Sequence, residues 1–433
     1  MEEERPAHLH ELVRDGAPSA EQCRVRTALE ATNSTVTVTP RLHRHVILRS
    51  DAGTYLAVTP EASGAETLED SGGLQTHCIE HVDDSAVWTA VGGGYQHALS
   101  QTVVRALDDV AHTPRQDEAE PGEQGRRVRL PQLAAGADGF TAMWGPEALP
   151  SEYLATLRAV GIVAMPALLA PRSVAALRRL AAEQVAAEER GAPLRPLALR
   201  SALGIKVATH PVVLWVIRSY LGARFVFGHA PGFAILRPQD GSAERLCPGG
   251  WHSDYPYHPD NIPYWAPGEP GRYPPGVPFG LQCNTCVSDF TPENGGTAFV
   301  LGSRDRNRRP PAAWGWKTGL GTYAGPEATQ FRAPAGTIIL YDSRTWHRGG
   351  MNLTAADRVA ILNQCLPAWV PPMDGGDTRL FSELTQSGTA EAKQVLAGLT
   401  DRERRDVAEM LSGKLAGGTA RAMMPIRSRR SKL

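Results

Sequence analysis

Two short segments of the sequence contain side chains that could bind one metal ion. The first, Trp251–Asp254, follows a Gly-Gly turn, and the second, after the apolar run Ile338–Tyr341, ends at His347. His252 and Asp254 stand at positions i and i+2, so both side chains point to the same side of an extended strand. Two imidazoles and one carboxylate are a ligand set for Fe(II) that leaves one face of the ion open for substrate and O₂. The residue types and spacing therefore predict a metal site.

The His-x-Asp triplet is weak evidence by itself, because the chain contains three of them. His81–Asp83 lies in an acidic, turn-like run, far upstream of a second histidine that follows a strong strand. In His258–Asp260 the middle residue is proline, whose missing N–H disfavours a strand within a sheet. The triplet at 252–254 follows the apolar run Gly232–Arg237 and has His347 downstream. We therefore place the metal site there.

Arg358 comes eleven residues after His347 and opens another apolar run, Val359–Asn363. A guanidinium group binds a carboxylate through two parallel hydrogen bonds. An arginine at an arbitrary position is more often part of a surface ion pair, which contributes little. Beside a predicted metal site, we interpret Arg358 as the group that binds a carboxylate.

The region from about 145 to 370 resembles the phytanoyl-CoA dioxygenase family of Fe(II)/2-oxoglutarate oxygenases. The matching segments follow the family's order and spacing: Tyr153–Leu169, Trp251–Asp254, Pro292–Arg304, Gly336–Tyr341 and His347–Arg358. The chain departs from the family at Leu301, where proline is usual, and in a long insertion at 256–278. The aromatic and proline residues of this insertion predict a lid over the site, or a rigid surface loop.

The resemblance implies specific roles for the candidate residues. His252, Asp254 and His347 would bind iron, and Arg358 would bind the distal carboxylate of 2-oxoglutarate. The expected reaction uses O₂ to hydroxylate an unactivated C–H bond of a lipid, an acyl-CoA or a specialised metabolite, with release of succinate and CO₂. Because Asp254 is retained, hydroxylation is favoured over halogenation, for which a small residue replaces this carboxylate. Desaturation and ring closure would use the same ligands.

Further polar residues are candidates for binding 2-oxoglutarate. Gln282 and Asn284 are two residues apart on one predicted strand, and Thr297 follows an Asn-Gly-Gly turn on a neighbouring one. Each could instead be a buried polar residue with structural partners. Cys283 and Cys286 are disfavoured as a metal or redox pair, because residues i and i+3 point to opposite faces of a strand.

The composition excludes several other classes of protein. A length of 433 residues predicts two or three domains, and a net charge of −1 gives no indication of a nucleic acid or an anionic membrane as partner. No apolar run is long enough to span a membrane. Six cysteines in a chain of this length do not indicate a disulfide framework, so we expect a reduced intracellular protein.

The predicted fold class is mainly β with flanking helices, built on a double-stranded β-helix (jelly roll) that follows a small β-rich module. The predicted regions are a polar N-terminal segment (1–40), the small β-rich module (41–111), a flexible linker (112–139), the jelly-roll dioxygenase domain (140–375) and a helical C-terminal extension with a basic tail (376–433). Part of the module, residues 45–58, resembles one repeat of a β-trefoil.

The last three residues are Ser-Lys-Leu, which act as a peroxisomal import address read by a receptor. We expect a peroxisomal location if the chain is eukaryotic, and a cytoplasmic one otherwise.

Two other classes of function fit a jelly roll with these residues. A catalytically inactive domain that only binds a ligand would release no succinate when supplied with Fe(II) and 2-oxoglutarate. A cupin-type metalloenzyme that uses O₂ without a co-substrate would be insensitive to Arg358→Ala. The intact set of candidate ligands argues against the first of these.

Overall fold

The protein is described from a computed structural model. The structure describes residues 25–28, 34–38, 45–50, 54–59, 68–69, 75–79, 82–91, 94–99, 103–105, 126–128, 140–191, 197–238, 251–257, 277–306, 310–311, 328–372, 384 and 389–412. The strands in this part of the chain are β1 (Val25–Ala28), β2 (Ser34–Val38), β3 (Val46–Ser50), β4 (Tyr55–Thr59), β5 (Leu68–Glu69), β6 (Gln75–Ile79), β7 (Trp88–Val91), β8 (Gly94–His97), β9 (Val103–Arg105), β10 (Arg126–Val128), β11 (Phe140–Trp144), β12 (Ile162–Met165), β13 (Phe225–Leu236), β14 (Leu281–Cys286), β15 (Ala298–Val300), β16 (Ala328–Arg332), β17 (Ile338–Asp342), β18 (His347–Arg348) and β19 (Arg358–Pro367). The α-helices are α1 (Pro150–Val160), α2 (Pro171–Glu189), α3 (Leu197–Arg200), α4 (Ala202–Ala208), α5 (Pro211–Leu221), α6 (Ala390–Ala397) and α7 (Asp401–Ser412).

Two five-stranded sheets form the jelly roll. The major sheet has the strand order β12-β17-β14-β19-β13, and the minor sheet has the order β1-β2-β16-β15-β18. Their inner faces share one apolar core, to which Phe299 and Phe331 contribute from the minor sheet and Ile339, Tyr341 and Ala360 from the major sheet. The prediction of a mainly β fold built on a jelly roll is confirmed.

Strand β17 shows why this stretch of sequence folds as it does. All five of its residues are buried, because β17 lies between two strands and has a packed layer on each face. Ile339 and Tyr341 face the minor sheet, whereas Ile338 and Leu340 pack in the core that the helices share. Gly336 leads into the strand with a φ of 87°, and a Cβ there would lie 2.8 Å from the carbonyl oxygen of Leu169.

Helices cover the outer face of the major sheet. Helices α1, α2 and α5 each begin with proline, which lacks the N–H that would be unpaired at a first helical position. In α2 the buried residues Val174, Leu177 and Ala181 recur at helical spacing and pack into the shared core. None of the helices in the described ranges is both long and apolar enough to cross a membrane.

A second sheet precedes the jelly roll. Its strand order is β5-β6-β4-β3-β7-β8-β9, with β11 joined to β3 and β10 joined to β11. The predicted β-rich module is therefore present, and its resemblance to a trefoil repeat stays a prediction. Strand β11 was expected at the start of the jelly-roll domain, but Phe140 to Trp144 pair with Ser50 to Val46 in the N-terminal sheet. Strand β10 lies within the predicted linker.

Strand β2 lies within the predicted polar N-terminal segment, yet it belongs to the jelly roll. It pairs in parallel with β16, with Ser34 opposite Thr329 and Thr37 opposite Arg332. An edge strand presents unpaired N–H and C=O groups that another strand can satisfy. Such a pairing across almost 300 residues depends on the folded sheet and not on a local sequence pattern.

Some predictions concern residues outside the described ranges. Most of the predicted lid falls in 258–276, and the Ser-Lys-Leu tail falls in 413–433. The lid, the import address and the location that depends on it stay predictions.

Candidate metal centre

The structure brings the three predicted ligands together. The Nε2 atom of His347 lies 3.5 Å from Oδ2 of Asp254, and the Nε2 atom of His252 lies 3.8 Å from Oδ1 of the same carboxylate. One ligand atom from each residue can be chosen so that all three lie within 4.8 Å of one another, a spacing that could hold one ion. In the part of the chain that the structure describes, no second group of three histidine, cysteine or acidic side chains has this spacing.

Backbone hydrogen bonds fix this arrangement. The N–H of each histidine donates to the carbonyl of the other, His252 to His347 and the reverse, both at 3.0 Å. The N–H of Asp254 donates to the carbonyl oxygen of Ser343 at 2.8 Å. The segment that carries two ligands is thus joined to the segment that carries the third, as an antiparallel bridge.

The orientation of His347 favours metal binding. Its Nδ1 atom lies 2.9 Å from the carbonyl oxygen of Thr345. Because a carbonyl can only accept a hydrogen bond, Nδ1 carries the proton and the lone pair of Nε2 points to the other ligands. The ring packs at 4.8 Å from Tyr341 and 6.0 Å from Phe299, measured between ring centroids.

Three buried side-chain oxygens in the interior of the jelly roll are positioned to accept from a bound group. Oδ2 of Asp254, Oε1 of Gln282 and Oδ1 of Asn284 are buried and have no hydrogen-bond partner in the part of the chain that the structure describes. A buried acceptor left unpaired costs about 1–3 kcal/mol, so a bound cation or hydrogen-bond donor that satisfies these atoms would be stabilised. Two imidazole nitrogens and a carboxylate oxygen match the donor set of non-haem Fe(II) sites, so the residues present fit this ion.

The hydroxyl of Tyr341 lies beside the carboxylate of the triad. Burial, reinforced by the charge of Asp254, raises the pKa of Tyr341 well above its ordinary value. The hydroxyl therefore stays protonated and can act as a hydrogen-bond donor inside the jelly roll.

Arg358 is the first residue of β19, and its side chain is 8% exposed. Because alternate residues of a strand face the same side, Arg358 faces the interior together with Ala360 and Leu362, which pack in the core between the two sheets. Its guanidinium carbon lies 4.7 Å from the ring centroid of Phe290. A permanent positive charge is thereby held inside the jelly roll that contains the triad.

The three other predicted cofactor contacts lie near this interior. Gln282 is opposite Tyr341 and Asn284 is opposite Ile339, so both face the minor sheet. Thr297 is buried and immediately precedes β15, the strand that pairs with His347. Their proposed contacts with 2-oxoglutarate stay predictions.

A buried charge network below the triad was missed in the sequence. The carboxylate of Asp342 accepts hydrogen bonds from Arg344 at 2.9 and 2.7 Å and from the hydroxyl of Tyr220 at 2.7 Å. Burial, together with the charge of Asp342, raises the pKa of Tyr220. Arg304 in turn donates to the Tyr220 hydroxyl at 2.9 Å. The one local signal was the polar run 342–345 that directly follows the apolar run Ile338–Tyr341.

Cys283 and Cys286 do not form a pair. Cys283 packs in the core shared with the helices, and Cys286 packs between the two sheets, so they lie on opposite faces of β14. Both are buried free thiols, as is Cys365. Burial raises the pKa of Cys283 to about 12.

We expect these three thiols to resist alkylation in the folded protein. The thiolate is the reactive form, and burial raises the pKa of all three thiols, so little thiolate is present at pH 8. Treatment with iodoacetamide, followed by peptide mass spectrometry, should show slow labelling at these sites and rapid labelling in guanidinium. Equal rates in both conditions would contradict the buried placement.

The profile of one family and several relatives match the chain. The family described as Phytanoyl-CoA dioxygenase (PhyH) matches residues 157–360. "Uncharacterized protein Rv1501" of Mycobacterium tuberculosis is 24% identical over 154 residues, which are 36% of this chain and 48% of that protein. "Dioxygenase af480" of Aspergillus fumigatus is 29% identical over 113 residues, which are 26% of this chain and 34% of that protein. The match thus spans about half of the first relative and a third of the second.

Two solved structures are similar to about half of the chain. The non-heme alpha ketoglutarate dependent epimerase SnoN from nogalamycin biosynthesis is 19% identical with a TM-score of 0.38, and covers 56% of this chain and 90% of its own. HygX from Streptomyces hygroscopicus, solved with nickel and 2-oxoglutarate bound, is 17% identical with a TM-score of 0.40, and covers 54% of this chain and 94% of its own.

Proposed function

Residues 157–360 are a domain of the phytanoyl-CoA dioxygenase family, and we propose on this premise that the chain is an Fe(II)- and 2-oxoglutarate-dependent dioxygenase that hydroxylates a small molecule. The observation that carries the proposal is the triad, whose ligand atoms lie within 4.8 Å of one another in a jelly roll with an interior arginine. Bound together, Fe(II) and 2-oxoglutarate supply the activation of O₂, and the co-substrate leaves as succinate and CO₂.

The chain's own residues hold the metal on one face. His252 and His347 offer Nε2, and the Thr345 carbonyl keeps the second ring in the tautomer that can bind. Asp254 offers one carboxylate oxygen and offsets one positive charge of the ion. These three residues would hold the metal and would leave other coordination positions for 2-oxoglutarate and O₂.

Arg358 binds and orients the co-substrate. A guanidinium group in a buried site forms a stronger, bidentate bond with a carboxylate than it would in water. We assign it to the distal carboxylate of 2-oxoglutarate, with Gln282, Asn284 and Thr297 as further hydrogen-bonding partners. The amide N–H groups of Gln282 and Asn284 and the hydroxyl of Thr297 can donate to the oxygens of 2-oxoglutarate, and all three residues are buried, which supports this assignment.

Aromatic side chains enclose one of the candidate ligands. Phe299 and Tyr341 pack against the ring of His347, whose side chain is 6% exposed, whereas Trp251 and Trp346 pack in a separate apolar cluster. Exclusion of water from this side of the site strengthens the charged contacts there. Because the carboxylate of Asp254 occupies one ligand position, we propose hydroxylation as the outcome and not transfer of a halide.

The direct test is succinate formation. The purified chain, supplied with Fe(II), 2-oxoglutarate and O₂, should release succinate slowly alone and faster with a substrate, whose product gains one oxygen atom by mass spectrometry. A screen of lipids, acyl-CoA esters and polar metabolites for faster succinate release would identify the substrate class. Absence of succinate with Fe(II) would indicate a binding domain, and O₂ uptake without 2-oxoglutarate would indicate a cupin-type enzyme.

Replacing Arg358 with methionine should weaken 2-oxoglutarate binding by about 10- to 100-fold, since hydrogen bonds to charged groups contribute about 1.5–3 kcal/mol. Calorimetric titration of the Co(II)-loaded protein with 2-oxoglutarate measures this change. Arg332→Met is the matched control, because Arg332 is 44% exposed and its ion pair with Glu293 lies at the surface. Equal affinities in the two variants would assign the carboxylate of 2-oxoglutarate to another residue.

A further inference from the structure

Gln364 is a buried glutamine of β19, 2% exposed, that reaches the segment carrying two of the metal ligands. Its Nε2 atom donates to the carbonyl oxygen of Tyr255 at 2.8 Å and lies 3.5 Å from the hydroxyl of Ser343. Tyr255 directly follows Asp254. A side chain on the strand of Arg358 therefore holds the backbone next to the metal-binding carboxylate.

Two hydrogen bonds hold the backbone at Asp254 and at the residue after it. The N–H of Asp254 donates to the carbonyl of Ser343 at 2.8 Å, and the carbonyl of Tyr255 accepts from Gln364. The first bond is made by backbone alone, so side-chain substitution leaves it in place. The second depends on the amide group of Gln364.

The neighbouring strand β13 leaves space for this amide. A Cβ on Gly228 would lie 2.2 Å from Oε1 and 3.0 Å from Cδ of Gln364. Gly228 has no positive φ, so glycine is required here for space and not for backbone conformation. On the same strand, a Cβ on Gly232 would meet nothing within 4 Å.

We propose that Gln364 is a positioning residue for the metal site, which fixes the Tyr255 carbonyl and thereby directs the Asp254 carboxylate at the ion. It also ties the metal-ligand segment to the strand that begins with Arg358, so that the metal and the co-substrate anchor share one support. This inference rests on the proposed function, because it requires a metal held by His252, Asp254 and His347. Groups that orient metal ligands in this way set the affinity of a site.

The first test compares the same substitution at two glutamines. Gln364→Met keeps the length of the side chain but removes the donor. Gln330→Met removes an equivalent bond, from Nε2 to the carbonyl of Gly296 at 3.0 Å, on strand β16 of the minor sheet. Calorimetric titration with Co(II) should show affinity reduced roughly 10-fold for Gln364→Met, the lower end for outer-shell partners, and unchanged for Gln330→Met. The visible spectrum of bound Co(II), which reports its coordination, should change for the first variant alone.

The second test displaces the amide without altering it. Gly228→Ala should push Gln364 off the Tyr255 carbonyl and weaken Co(II) binding, whereas Gly232→Ala should leave it unchanged. Adding Gly228→Ala to Gln364→Ala should cause no further loss, because the clash has been removed and the two effects are not additive. The comparison of Gly228→Ala with Gly232→Ala also tests the positioning role of Gln364 if Gln364→Met does not fold.

The outcomes separate the inference from the function on which it rests. If the unaltered protein binds no Co(II), the metal site itself is wrong. If it binds Co(II) and both the Gln364→Met and Gly228→Ala variants match their controls, the metal site stands and Gln364 is a buried core residue without a positioning role.

Discussion

The variant Asp254→Ala is expected to bind divalent metal ions more than about 100-fold more weakly. Removing a group that only hydrogen-bonds to a metal ligand lowers the affinity by about 10- to 100-fold, and Asp254 is proposed to be a ligand itself. Its two carboxylate oxygens lie 3.8 and 3.5 Å from the Nε2 atoms of His252 and His347, so no other side chain of the triad can replace it. Two neutral imidazoles would remain, without an anion to offset the charge of the ion. Co(II) titration and succinate release, measured on the same preparation, should both fall to background.

The rival triplet provides the matched control. Asp83→Ala removes the aspartate of His81–Asp83, whose carboxylate accepts from the N–H of Ser85 at 2.9 Å at the start of a short 3₁₀ helix. This variant should lose some stability through its cap and retain its metal affinity. Retention of metal by Asp254→Ala, together with loss in Asp83→Ala, would move the site to the other triplet.

The candidate metal-binding residues could be identified in the sequence because their signals are local. His252 and Asp254 obey the period of two that places side chains on one face of a strand, and His347 follows a strand so apolar that it had to be central. The structure brings these three ligands together and places Arg358 in the interior of the same jelly roll. Residue type and strand period were sufficient to predict that these three side chains lie close together.

Pairing between distant strands could not be predicted in the same way. Strand β11 pairs with β3 across about ninety residues, and β2 with β16 across almost three hundred. Which edge a strand joins depends on the open edges and apolar faces of the folded sheets, and nothing within the strand itself encodes it. The predicted domain boundaries near 40 and 140 therefore differ from the sheets that form there.

The side chains that support the site were missed for a related reason. Gln364 meets the Tyr255 carbonyl across 109 residues, and Asp342 meets the Tyr220 hydroxyl across 122. A glutamine or an aspartate on a strand has many ordinary roles, and only its partner distinguishes them. The candidate ligands were therefore recognisable in the sequence, whereas Gln364 and Asp342 became visible through their contacts in the fold.

The largest effect on folding is expected from Asp342→Asn. The carboxylate is fully buried and accepts two hydrogen bonds from the guanidinium group of Arg344, itself 5% exposed. Removal of one partner of a buried ion pair leaves the other charge uncompensated and costs about 3–5 kcal/mol. Urea unfolding, followed by circular dichroism, should show a free energy of unfolding lower by about this amount.

Glu183→Gln is the control for this substitution. Its carboxylate is 65% exposed and lies 3.4 Å from Arg200, and an exposed pair of this kind contributes about 0–1 kcal/mol. Equal changes in both variants would show that burial does not strengthen the pair at Asp342.

The metal site should respond to the same substitution, because Asp342 lies at the base of the turn that presents His347. The N–H of Thr345 donates to the carbonyl of Asp342 at 2.8 Å, and the carbonyl of Thr345 accepts from the ring of His347 at 2.9 Å.

Adding Arg344→Met to Asp342→Asn should recover part of the lost stability, since the uncompensated guanidinium is then gone. If the double variant is less stable than Asp342→Asn, the penalty arises from lost packing and hydrogen bonds and not from the buried charge.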